Sequence, residues 1–186
     1  MCVMGWELRV FCPAETAKNV FDEDMVKERR EDKYIVVSNR VGLKQRGKAG
    51  RWEVKIRCRE SKECPGLEEW CKDQVASVET VESVLSRKGA LGEEEVLGLK
   101  KQNCVTVDKL RQRGLCGRVQ LEQTDLAVTV EGKTERWRSW CAEGCKDDLK
   151  IFWRENWGTR EKRDNMLGES SLVMGYPEWI TVVSNK

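Results

Sequence analysis

The sequence predicts an α+β chain built on a mainly antiparallel sheet. Three observations predict it. Strand-like segments outnumber helical ones, they follow one another through hairpin-like breaks, and their side chains alternate between apolar and polar with a period of two. At 186 residues the chain has the length of one domain with its own core, so 1–186 is expected to fold as a single unit.

The elements follow in order. Residues 5–11 (GWELRVF) alternate and read as a first strand. Pro13 then opens a helical stretch over 14–26, with Ala17, Val20 and Phe21 spaced for one face. Residues 32–38 and 41–47 read as strands, and KAGR at 48–51 as a hairpin turn returning into the strand 52–58 (WEVKIRC). A polar break ends on Pro65-Gly66. Residues 67–73 are an ambiguous, helix-leaning segment, and 77–87 carry Val78, Val81, Val84 and Leu85 at helical spacing, with Ser77 as cap. Strands are expected at 99–111, 117–123 and 126–131, joined at Gly114 and at a Thr124-Asp125 corner, and again at 135–143. The tail from 147 to about 167 is helical in pattern, with Leu149, Phe152 and Trp153 on one face, and Gly168 ends it. YPEWITVV at 176–183 reads as a last strand or a docking segment.

Composition excludes several functions. Lys+Arg 34 against Asp+Glu 32 gives +2, which suits neither a basic nucleic-acid coat nor an acidic tail. No apolar run approaches the ~18 residues of a membrane-spanning helix. There is no histidine, so Ser-His-Asp and Cys-His chemistry and His-ligated metals are excluded. The nine cysteines include no Cys-x-x-Cys pair, and the start MCVMGWELRV lacks the pattern of a signal peptide. Reduced thiols in a cytoplasmic protein are therefore expected, some serving as small hydrophobes. The eight tryptophans either fill the core or provide a stacking site.

The placement of charge is the unusual feature. Glu7 and Arg9 share one face of the first strand, and Lys44 and Arg46 one face of the third. Glu53, Lys55 and Arg57 alternate with Trp52, Val54 and Ile56. Lys101, Lys109 and Arg111 share a parity, as do Arg118, Gln120 and Glu122. Two readings fit such alternation: a sheet with one solvated face, or a barrel with a charged bore. A bore lined by Lys and Arg with a few carboxylates suits a polyanion such as a triphosphate, with the carboxylates holding Mg²⁺ or Mn²⁺.

The ordered set Asp32-Lys33-Tyr34, Leu43-Lys44-Gln45-Arg46, Trp52-Glu53-Val54-Lys55, Arg118 to Asp125, Glu143-Gly144 and Asn165 to Gly168 resembles the CYTH superfamily of triphosphate tunnel metalloenzymes. Within it the thiamine-triphosphatase type is the most similar. The resemblance spans nearly the whole chain in order. It implies an antiparallel β-barrel or tunnel of about eight strands with flanking helices. It implies phosphate contacts from Arg9, Lys44, Arg46, Lys55 and Lys101, with Lys109 or Arg111 sharing that role, and metal-side carboxylates at Glu7, Glu122 and Glu143.

The departures from the family are as informative. The first strand reads Gly5-Trp6-Glu7-Leu8-Arg9 where the family has Glu-x-Glu-x-Lys, and Cys141-Ala142-Glu143 stands for a second Glu-x-Glu. Val36 takes the place of an acid, and the family's C-terminal lysine falls near Glu178-Trp179 and is missing. The implied Mg²⁺ or Mn²⁺ is thus weakened by Gly5 and Cys141 in place of acids. The expected function is binding of a phosphorylated small molecule in a basic tunnel, with metal-dependent phosphohydrolase activity weak or lost and the catalytic residue unassigned. The alternative is a non-enzymatic α+β protein-interaction domain. No nucleic acid or membrane is expected as partner; a protein partner fits the alternative.

Overall fold

The computed structural model describes residues 3–22, 25–47, 50–75, 81 and 104–185. Its strands are β1 (Val3–Pro13), β2 (Glu28–Ser38), β3 (Val41–Arg46), β4 (Arg51–Glu60), β5 (Leu67–Val75), β6 (Cys104–Cys116), β7 (Val119–Val130), β8 (Lys133–Gly144) and the two-residue β9 (Leu172–Val173). Helix α1 (Lys146–Phe152) runs into a π-helical turn (Trp153–Trp157), followed by α2 (Arg160–Met166) and α3 (Tyr176–Ser184). Every strand pairing is antiparallel. The order is β5-β4-β3-β2-β6-β7-β8-β1-β9, and β5 also pairs with β1. That last pairing, from Val3↔Lys72 to Leu8↔Leu67, closes eight strands into a barrel. The α+β antiparallel tunnel with flanking helices is the fold, and the solvated-sheet reading is set aside.

Closure assigns every side chain a side. Outward residues of β1, β7 and β8, including Leu8, Val10, Val119, Trp140 and Ala142, pack under Leu149, Phe152, Trp153, Trp157 and Leu167 of the helical tail. A second outer cluster joins Val41, Leu43 and Val54 to Val81. Inside, one end of the barrel is apolar. Val105, Val107, Leu126, Val128, Trp137, Phe11 and Tyr34 pack with Tyr176, Trp179, Ile180 and Val183 of α3. Phe11 stacks on Trp179 at 4.4 Å and Tyr34 on Tyr176 at 4.9 Å. Helix α3 thus stops one end of the bore.

The β7–β8 hairpin shows why its turn is so tight. Glu131 (φ 49°) and Gly132 (φ 80°) both take left-handed backbone, as a two-residue type I′ connection requires. Residues 119–130 therefore form one strand, and Thr124-Asp125 lies within it rather than at a corner. Gly114 likewise sits inside β6, with the turn at Gly117 (φ 58°).

Four other expectations are corrected. Residues 14–22 form no helix, because tertiary partners take their backbone donors. Lys18 N–H donates to the Leu167 carbonyl at 2.8 Å, and Val20 N–H to Gln123 Oε1 at 2.9 Å. Residues 67–75 are a strand, because β1 and β4 claim both of its edges. The tail is not one helix: the π turn that buries Trp153 and Trp157 interrupts it, and the Thr159 hydroxyl restarts it by capping Lys162 N–H at 3.2 Å. Residues 176–184 are not a strand but a helix that docks on the barrel, as the alternative reading has it. Pro177 sits in the first turn, and Tyr176, Trp179, Ile180 and Val183 fall at i, i+3, i+4 and i+7, the period of one helix face. The helix expected at 77–87 lies outside the described residues apart from Val81.

Seven cysteines are free among the described residues, whereas Cys71 is disulfide-bonded, so the expectation of uniformly reduced thiols does not hold there. No helix among the described residues is long and apolar enough to cross a membrane.

The seat of α3 is tight at Gly42. A Cβ placed there would come 2.9 Å from Pro177 Cγ. Gly42→Val is expected to push α3 off β3 and lower stability by about 1–3 kcal/mol, the usual cost of overpacking. Thermal melting of the purified variant measures this.

Candidate functional site: a basic bore

The other end of the barrel interior is charged. A cavity of about 290 Å³ is lined by Glu7 and Arg9 of β1, Arg30 and Tyr34 of β2, Gly42, Lys44 and Arg46 of β3, and Glu53 and Lys55 of β4. Lys72 of β5, Lys109, Arg111 and Arg113 of β6, Gln120, Glu122 and Thr124 of β7, and Glu143 of β8 complete the wall, with Tyr176 and Pro177 of α3 at its floor. Nine lysines and arginines thus face four glutamates. Where a strand contributes more than one residue, they lie an even number apart, so a single parity decision per strand builds the wall.

The charges are arranged in local groups. Lys44 Nζ lies 2.7 Å from Glu53, which also pairs with Arg46. Lys109 Nζ contacts Asp32 at 3.0 Å and donates to the Tyr34 hydroxyl at 2.5 Å, while Arg30 takes the other oxygen of Asp32 at 3.0 Å. Glu122 collects Arg9 at 3.7 Å, Arg111 at 3.2 Å and Arg113 at 3.4 Å, and Arg111 reaches Glu28 as well. Glu7 pairs with Lys55 through one oxygen and with Lys72, at 3.4 Å, through the other. Lys72 also stands 3.4 Å from Glu143. Arg57, next along β4, bonds Glu68 and approaches Glu178 of α3 at 3.7 Å.

Among the described residues, several buried donors have no hydrogen-bond acceptor, and three of them belong to cavity arginines whose Nε makes no ion pair. The Nε–H groups of Arg9, Arg46 and Arg111 are buried without a hydrogen-bond partner. A buried unsatisfied donor is costly, and native structures keep few of them. An anion in the bore would satisfy them.

Burial and neighbouring charge pull the ionisable groups in opposite directions. Burial alone would raise the Glu7 carboxyl, but Lys55, Arg9 and Lys72 bring it down to about 2. Glu122 reaches about 2 in the same way, with Arg9 and Arg111 outweighing its burial. Burial pulls Lys44 down to about 8, only partly offset by Glu53 and reinforced by Arg46. Burial also lowers Lys55, against Glu7, and takes Lys109 well below the usual lysine range, against Asp32. It pushes the Cys141 thiol well up despite nearby Arg9.

Of the residues singled out in the sequence, Arg9, Lys44, Arg46, Lys55, Lys109 and Arg111 all line the cavity, as do Glu7, Glu122 and Glu143. Both Lys109 and Arg111 face inward, because the pairing of β6 with β2 and β7 fixes its register. Lys101 lies outside the described residues. The three carboxylates do not converge on one point. Glu7 and Glu143 are cross-strand partners, and with the Cys141 thiol they offer three ligand atoms within 4.8 Å of one another, a group close enough to hold a metal ion. Glu122 stands apart among the arginines.

Arg30, Lys72 and Arg113 were not anticipated. Arg30 and Arg113 lie where β2 starts earlier and β6 runs further than the hydrophobic pattern suggests, and Lys72 lies in the segment read as helix-leaning. Extending the alternation of Asp32-x-Tyr34 and Lys109-x-Arg111 by one step leads to Arg30 and Arg113. The tryptophans provide no stacking wall: the aromatic rings lining the cavity are Tyr34 and Tyr176. Trp70 is fully buried, with Lys55 Nζ 4.3 Å from its ring centre.

The chain matches no protein-family model, and no curated protein matches it significantly. Among solved structures it is similar to protein PH1819 from Pyrococcus horikoshii, with 14% identity over 95% of this chain and 99% of that one and a TM-score of 0.46. It is also similar to a conserved hypothetical protein from Pyrococcus furiosus, with 16% identity over 80% and 86% and a TM-score of 0.42. A third is HpAC1 from Hippeastrum, a putative adenylyl cyclase described as having a dominant triphosphatase activity, with 10% identity over 81% and 87% and a TM-score of 0.40. Likenesses at this level assign no activity to this chain.

The depressed carboxyls set the acid limit of the fold. Glu7 and Glu122 titrate near 2 when folded and near 4.5 when exposed, so the unfolded chain binds their protons first. Their stabilisation is present above pH 4.5 and is lost as pH falls toward 2. Urea unfolding midpoints are expected to drop steeply across that window, and Glu122→Gln is expected to flatten the drop.

Proposed function

We propose that this chain binds a triphosphate-type polyanion, carried by a phosphorylated small molecule, in its basic bore. Residues 1–186 are read as one domain of the tunnel type, a divergent relative of the thiamine triphosphatases with metal-dependent phosphohydrolase activity weak or lost. One observation carries the reading: three arginine Nε–H donors are buried at the cavity wall without acceptors, amid an excess of lysine and arginine. Phosphate oxygens accept such donors, and charge-assisted bonds in an enclosed site are stronger than on open surface. Arg9, Lys44, Arg46, Lys55, Lys109 and Arg111 are the proposed phosphate contacts.

The acidic side supports binding better than hydrolysis. A Mg²⁺ or Mn²⁺ ion held by Glu7 and Glu143 would compete with Lys55 and Lys72 for the same oxygens. Its third neighbour would be a protonated thiol, where hard cations prefer oxygen. Any such ion is therefore weakly held.

Thermal melting with tripolyphosphate tests the reading. A ligand that binds only the folded chain stabilises it by about 2.7 kcal/mol at a hundred times its dissociation constant. The melting temperature is expected to rise with tripolyphosphate and not with sulfate at equal ionic strength. No shift would overturn the reading. Arg46→Ala is expected to weaken tripolyphosphate binding about 10- to 100-fold, from loss of charge-assisted hydrogen bonds. Affinity is also expected to fall as pH rises through 8, because Lys44 loses its proton there and binding must then restore it. Calorimetric titration across pH 7–9 measures this, and Lys44→Met is expected to flatten the profile.

A further inference from the structure

We infer that the Lys72 ammonium is the built-in cation of this bore, standing between Glu7 and Glu143 where a divalent ion would otherwise sit, so that polyphosphate binding needs no metal. The inference deepens the polyanion reading and rests on it for its second half.

Glu7 and Glu143 are direct cross-strand partners on β1 and β8. Two like charges so placed repel and require a cation between them. Lys72 reaches them from β5, the neighbour of β1 on its other edge, because the β1–β5 pairing closes the barrel at this point. Its Nζ is equidistant from the two carboxylates, at 3.4 Å from each. Glu7, 2% exposed, has its second oxygen on Lys55, so both of its oxygens already face an ammonium. An ion entering from solution must displace a cation tethered to the wall. A tether of this length holds its charge at an effective concentration on the order of millimolar or higher, and the geometry leaves a thiol as the third ligand. The tethered ammonium is therefore favoured over the free ion.

Paramagnetic resonance of Mn²⁺ in solution, titrated with protein, tests the first half without any polyanion. The unaltered chain is expected to leave the Mn²⁺ signal unchanged. Lys72→Met, of similar length and no charge, is expected to take up about one Mn²⁺ per chain, as vacated carboxylates bind the ion. Lys72→Arg is expected to leave the signal unchanged again. Uptake by the unaltered chain equal to that of Lys72→Met overturns the inference, and so does no uptake by Lys72→Met. Should Lys72→Met fail to fold, judged by its melting curve, Lys72→Gln serves the same comparison.

Calorimetry with tripolyphosphate tests the second half. Binding to the unaltered chain is expected to be the same in a chelator as without it. Lys72→Met is expected to bind about tenfold more weakly in chelator, and to regain affinity with Mn²⁺. A requirement for metal in the unaltered chain overturns metal independence. Absence of tripolyphosphate binding under every condition overturns the polyanion reading and metal independence with it, while the Mn²⁺ titration still decides the role of Lys72.

Discussion

The pairing of β5 with β1 is the contact on which the rest of the molecule depends. Without it the nine strands form an open sheet with one solvated face. With it, one face becomes an interior, and many residues of the inward parity, Glu7, Asp32 and Lys109 among them, are withdrawn from bulk water. Charges that would be unremarkable on an open sheet must then find partners. Asp32 is fully buried yet faces Lys109 and Arg30, and Glu53 faces Lys44 and Arg46. The ion pairs in the bore are thus a consequence of closure. The excess of cations over carboxylates leaves the cavity wall with net positive charge.

The same closure divides the interior lengthwise. Toward one end the inward residues are apolar and pack on α3; toward the other they are charged. Tyr34 belongs to both halves. Its ring stacks on Tyr176 of the plug, while its hydroxyl accepts from Lys109 at the bore floor. Tyr176 is likewise shared, with the Arg9 guanidinium 5.2 Å and Lys109 Nζ 4.2 Å from its ring centre. Buried cations without enough carboxylates therefore rest on aromatic faces, which supply part of the compensation that water would give outside.

Strands were legible in the sequence wherever alternation was regular, and the parity of Glu7, Arg9, Lys44, Arg46, Lys55, Lys109 and Glu122 followed directly from it. What could not be read was set by long-range partners. The 14–22 segment has helical spacing, but Leu167 and Gln123 claim its backbone donors from far along the chain. The β5 segment holds its strand form only between β1 and β4, so Lys72 was invisible as a wall residue. In α3 the β-branched residues pointed to a strand, although the 3.6-residue spacing of Tyr176, Trp179, Ile180 and Val183 was present in the sequence. Competition between Lys72 and a metal for Glu7 and Glu143 depends on three strands meeting, which no local pattern records.

The stopper formed by α3 governs traffic as well as packing. Among the described residues, the bore is closed at its floor by Tyr176 and Pro177. A long polymer could insert only its terminus and could never be threaded through.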